Sequence, residues 1–147
     1  MRLSHLVTAI MVFLVVATCL QGCAPSGGPK ETVLVFIEAV RGADSVTIEK
    51  NLSFERLLIE KDGELYQKLP PYQRMKALEK FRENMLYNLT AGKSRAFGEI
   101  DPEIIKETVL GDRAEVVVVN RKNKEKSFVY SLAREGGTWK IYRVVEH

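Results

Sequence analysis

The chain has 147 residues, 46% hydrophobic and 28% charged, with 22 lysine and arginine side chains against 19 aspartate and glutamate. This length suits one domain with enough chain to bury a core, and a formal charge of +3 with no clustered basic face argues against nucleic acid as a partner. Two cysteines (Cys19, Cys23) and two histidines (His5, His147) leave no credible set of parts for thiol, c-type haem, zinc or Ser-His-Asp chemistry, so no cofactor and no metal is expected.

Residues 1–22 read as an export signal. Arg2 is their one charged side chain, and Leu6 to Leu20 carries no charge. This run is shorter than the ~20 apolar residues that a spanning helix needs. It ends in Leu20-Gln21-Gly22-Cys23, which resembles the lipobox of bacterial lipoproteins, with Gln21 as a departure. The resemblance implies cleavage between Gly22 and Cys23, diacylglycerol on the Cys23 sulfur, and acylation, for instance with palmitate, of the new amino terminus. Two or more acyl chains anchor a protein stably where one binds only marginally. Cys23 is thus the expected membrane attachment. Ala24 after it, rather than Asp, implies the outer membrane in a host that has one. With the signal removed, 21 basic and 19 acidic side chains remain, and lipid on Cys23 uses up the last thiol.

Residues 23–30 then form a lipidated tether, Gly-, Ser- and Pro-rich from Ala24 to Lys30. Its seven residues after Cys23 reach roughly 25 Å when stretched. Residues 31–147 read as a single α+β domain. Glu31–Arg41 is a helix with Val33, Phe36, Ile37 and Val40 on one face, stopped by Gly42. Asp44 or Ser45 caps a short second helix containing Val46, Ile48 and Leu52. Ser53 caps a third, with Phe54, Leu57, Leu58 and Leu65, which Gly63 interrupts. After Pro70-Pro71 comes the longest helix, its stripe formed by Tyr72, Met75, Leu78, Phe81, Met85, Leu86 and Leu89, up to Gly92.

Period 3.6 then gives way to period 2. Ser94–Ile100 reads as a short strand and Ile104–Leu110 as a fuller one, before a turn at Gly111-Asp112. Arg113–Asn120 contains Val116 to Val119, a β-branched run that suits a strand covered on both faces. Arg121 to Lys124 makes a turn, and Phe128, Tyr130 and Leu132 alternate in the next strand. Glu135-Gly136-Gly137 is a tight-turn signal. Thr138–Glu146 closes the sheet, with Trp139 and Ile141 on one face and Tyr142 and Val144 on the other. Helices followed by an antiparallel meander of about four strands give an α+β class, N-terminal helices on a curved sheet, with the sheet expected to wrap the Tyr72–Leu89 helix.

Three stretches, Val33 to Asp44, Asp112 to Val119 and Leu132 to Ile141, resemble the nuclear transport factor 2-like superfamily and its small bacterial lipoproteins. The resemblance implies a cone-shaped fold enclosing a pocket. Some members are enzymes with Asp and His in that pocket; here no histidine is available to carry over, so no catalytic residue transfers.

The basic stretch Arg121 to Lys126 reads as a solvated hairpin tip, with contact to anionic lipid or cell-wall polymer as the alternative. Trp139 reads as a core ring rather than a ligand platform. Tyr66, Tyr72, Tyr87, Tyr130 and Tyr142 could present hydroxyls to a pocket, and no spacing selects among them. Asn51-Leu-Ser53 and Asn88-Leu-Thr90 match the glycosylation pattern by chance. The function expected is a lipid-anchored, non-enzymatic domain that binds a small ligand or an envelope protein. The alternatives are a pocket enzyme working through carboxylates and tyrosines, and a structural subunit of an envelope complex.

Overall fold

The computed structural model describes residues 27–147. The expected signal, the expected cleavage site at Gly22 and Cys23, and the first half of the expected tether (residues 23–26) lie outside the described residues. Helix α1 spans Pro29–Arg41, starting two residues inside the stretch read as tether. Proline at N1, Glu31 in the first turn and Arg41 in the last suit a helix start and end. Val33, Ile37 and Val40 are fully buried and Phe36 nearly so.

Helix α2 (Ser45–Asn51) is capped by Asp44, which accepts hydrogen bonds from the Thr47 amide (3.1 Å) and the Thr47 hydroxyl (2.6 Å). Helix α3 (Phe54–Lys68) follows Ser53 and kinks at Asp62, where the backbone leaves helical geometry one residue before Gly63. Helix α4 (Pro71–Thr90) begins on Pro71, which fits the first turn because it has no N–H to leave unpaired.

The Ser94–Ile100 strand does not form. Lys93–Gly98 is a 3₁₀ turn, and the reason lies in α1. Arg41 donates from Nε to the Gly98 carbonyl and from Nη2 to the Ile100 carbonyl, both at 2.8 Å, so these carbonyls are spent on a side chain rather than on a ladder. The α1 backbone approaches so closely that a Cβ on Gly98 would sit 2.5 Å from the Arg41 nitrogen.

Strands β1 (Pro102–Leu110), β2 (Arg113–Asn120), β3 (Asn123–Glu135) and β4 (Thr138–Glu146) form an antiparallel meander in the order β1-β2-β3-β4. The α+β class therefore holds, with four α-helices ahead of the sheet. Gly111, Gly136 and Gly137 take positive φ in the two tight turns. Ile104 pairs with Val118 but Lys106 with Val117, so Ile105 is an extra residue in β1. Likewise Leu132 pairs with Ile141 and Ser131 with Arg143, which leaves Tyr142 as a bulge in β4.

That bulge corrects the expected faces of the last strand. An inserted residue reverses the alternation beyond it. Val144, expected beside Tyr142, instead packs with Trp139 and Ile141 against the core. The Val116–Val119 run is covered unequally. Val116 and Val118 enter the core; on the other face Val119 is buried outside it, and Val117 and its partner Val129 are half-buried.

Helix α1 lies across the sheet, touching β1, β2 and β4, while α2 and α3 pack on β4; α4 packs on α1, α2, α3 and the 3₁₀ turn. The expectation that the sheet wraps Tyr72–Leu89 is overturned. Leu89 alone is buried on α4, while Tyr72 and Met75 are 63% and 67% exposed. Val33, Phe36, Ile37 and Val40 give α1 a buried apolar face against the sheet. The α4 stripe is interleaved with charges and reaches the core only through Met85, Leu86 and Leu89.

Candidate functional site

A cleft of about 1360 Å³ opens between α2, α3, α4 and the end of the sheet where β2 begins and β3 turns into β4. It exists because the chain crosses from helix to sheet just there. The Ser53 amide donates to the Ile141 carbonyl at 2.9 Å, so the start of α3 is stitched to β4. Ser53 stands at the N-cap of α3 as expected but makes no side-chain capping bond; its hydroxyl donates to Glu135 at 2.8 Å instead. Arg56 Nε donates to the same Glu135 oxygen at 2.8 Å, and its guanidinium lies 5.8 Å from the centre of the Tyr142 ring. The Tyr142 bulge turns that ring away from the core and toward the cleft, which it lines.

Two more cations stand on the sheet wall. Arg113 and Lys140 both pair with Ala133, one from each side, so a nearly buried small residue separates them. Among the described residues neither has a carboxylate at ion-pair distance. The helical wall offers Val46, Leu52, Ile59, Met75 and Leu78, with the Arg82–Glu49 ion pair across α4 and α2. Small-ligand pockets typically enclose ~300–1,000 Å³, so this cleft can seat something longer, such as an extended segment or an acyl chain.

It offers apolar contacts, cations, the hydroxyls of Ser53 and Tyr142, and the carboxylates of Glu49, Glu55, Glu60, Glu79 and Glu135. No Asp or Glu among the described residues is buried, and no group of acids, histidines or cysteines is arranged to hold a metal. The Thr47 hydroxyl and amide hold the Asp44 carboxyl below its ordinary value. Burial raises the Tyr130 hydroxyl, which lies within the core and has no hydrogen-bond partner.

The tyrosines therefore separate. Tyr130 and Tyr66 are buried, Tyr72 and Tyr87 are exposed, and Tyr142 faces the cleft. Trp139 is 5% exposed, in the core, with the Arg134 guanidinium 4.8 Å from its ring. The basic stretch is a hairpin tip in which Lys124 pairs with Glu103 and Lys126 with Glu146. Asn51 donates to the Thr47 carbonyl within its own helix. Sequence reasoning missed Ser53, Arg56, Arg113, Glu135 and Lys140 as a group, because Ser53 and Arg56 meet Glu135 from 82 and 79 residues away. The tight turn after Glu135 was the only local signal near them.

No helix among the described residues is long and apolar enough to cross a membrane. No protein-family model, curated protein or solved structure matches this chain.

Proposed function

We propose that this chain is a lipid-anchored envelope lipoprotein whose domain binds a ligand or partner rather than catalysing a reaction. The anchor rests on one observation, the Leu20-Gln21-Gly22-Cys23 sequence after an uncharged apolar run, with an ordered helix starting only six residues beyond the cysteine. The binding role rests on the cleft, whose helical wall mixes apolar side chains such as Val46, Ile59 and Met75 with the carboxylates of Glu49, Glu55, Glu60 and Glu79, and whose sheet wall carries Arg113 and Lys140. Its open, half-exposed carboxylates favour binding over acid–base catalysis, since catalysis of that kind draws on burial to raise a carboxylate's pKa. The four-stranded sheet under helices is compatible with the cone of the nuclear transport factor 2-like superfamily, and that cone is part of the proposal. In a host with two membranes the domain faces the periplasm from the outer one.

The test of the anchor is metabolic labelling with a fatty acid. The full chain should take up label, and Cys23→Ser should abolish it and release the protein from the membrane fraction. Unchanged labelling of Cys23→Ser would end the proposal. A second reading, a subunit of an envelope complex, is favoured by Leu65 and Tyr72. These lie either side of the α3–α4 turn, 69% and 63% exposed.

A further inference from the structure

The tether enters the domain at a particular place. The Lys30 amide donates to Glu107 of β1 at 3.1 Å, which fixes the start of α1 over the middle of that edge strand. From there α1 runs toward the carbonyls of Gly98 and Ile100, held by Arg41, and so covers only the first part of β1. Three large apolar side chains flank the entry point: Ile105 (57% exposed) before Glu107, and Val109 (48%) and Leu110 (76%) after it. Leu110 is the most exposed large apolar residue described. Lys30, 3.9 Å from the Glu31 carboxylate, Lys106 and Arg113 stand beside them with the exposed acids Glu107 and Asp112, and Arg113 is directly across from Leu110.

A single exposed leucine is unremarkable, but an open strand edge with apolar side chains is a pairing hazard that proteins normally cover or charge. We propose that the bilayer covers it: the β1 edge from Ile105 to Leu110 lies against the head groups, with Lys30, Lys106 and Arg113 facing anionic lipid. This proposal rests on the lipoprotein reading of Cys23. The geometry leaves little choice of face. From Cys23 to Pro29 the chain spans at most ~22 Å. A domain of this size has a radius of gyration of about 13 Å and is over 30 Å across, so such a tether cannot reach to its far side. Apolar residues beside basic ones are the composition that seats a surface in the interfacial layer, and juxtamembrane cations add attraction to anionic lipid. With β1 down, Arg113 sets one wall of the cleft beside the bilayer.

The test uses the lipidated full chain, whose mature form carries no competing thiol. A cysteine at Asp112, in the turn next to Leu110, is labelled with an environment-sensitive fluorophore. A matched label goes at Leu65 on α3, which packs against the opposite edge strand, β4. The proteins are placed in phosphatidylethanolamine–phosphatidylglycerol vesicles containing a nitroxide-bearing lipid, and the mass of the N-terminal peptide reports the state of Cys23. The Asp112 label should shift to the blue and lose emission to the nitroxide, the Leu65 label should do neither, and Leu110→Glu should restore the Asp112 emission. Equal responses at both sites, or none at Asp112, with lipid confirmed on Cys23, overturn the orientation alone. An unmodified Cys23 overturns the lipoprotein reading and this proposal together.

Discussion

Tyr130 sits at the centre of the sheet, its ring edge-on to Phe36 with centroids 6.3 Å apart, and its hydroxyl has no partner. A buried, unsatisfied polar group costs roughly 1–3 kcal/mol, and its removal can leave the packing intact. Tyr130→Phe should therefore stabilise the fold by about 1 kcal/mol near neutral pH, measured by denaturant unfolding. A loss of stability would mean that something bonds the hydroxyl. Burial raises the phenol above its ordinary value of 10.0, so the folded state keeps a proton that the unfolded chain releases. That contribution is complete below pH 10.0 and is lost as pH rises beyond it. Tyr130→Phe should flatten the alkaline limb of the stability profile. Tyrosine is neither clearly inside nor outside by composition, which is why the five could not be sorted in advance: the strand register buries Tyr130, and a bulge releases Tyr142 into the cleft.

Among elements, the junction of α1 with the 3₁₀ turn decides most. Arg41 spans from the helix end to the carbonyls of Gly98 and Ile100, and Gly98 lets the backbones meet. Gly98→Ala should destabilise by roughly 1–3 kcal/mol, the usual range for forcing atoms into a filled space, and should lower the midpoint of thermal unfolding. An unchanged midpoint would show that the turn moves freely off α1. The Ser94–Ile100 alternation was read as a strand because a short apolar rhythm carries no record of what its carbonyls bond. The α4 stripe was legible as a helix, yet its rank in the core was not, since periodicity reports a face and not which neighbour covers it.

At the scale of the molecule, helices and sheet are joined on one side by the α1 core and on the other by Ser53, Arg56 and Glu135 at the cleft. The Arg56–Glu135 pair is partly exposed, so its net value should be small. A double-mutant cycle with Arg56→Ala and Glu135→Ala should give a coupling of ~0.2–1 kcal/mol that shrinks in high salt. A coupling several times larger, or one indifferent to salt, would mean the cleft is organised by burial rather than by a solvated pair. Since the domain proper contains no cysteine, packing alone holds it, and its unfolding should be one cooperative transition.

Sequence by itself determined the order and kind of nearly every element and the α+β class, because periodicity, capping residues and turn glycines act over a few neighbours; the proposed anchor rests on Leu20-Gln21-Gly22-Cys23 alone. A cap at Asp44 or Ser45, of which the structure uses Asp44, and the glycines after Glu135 are local instructions legible in the sequence. Tertiary structure alone decided which helix fills the sheet, where Ile105 and Tyr142 bulge, and which side chains line the cleft. Those outcomes depend on contacts between residues tens of positions apart, where volume, register and the competition for backbone carbonyls choose among arrangements that the local pattern leaves equal.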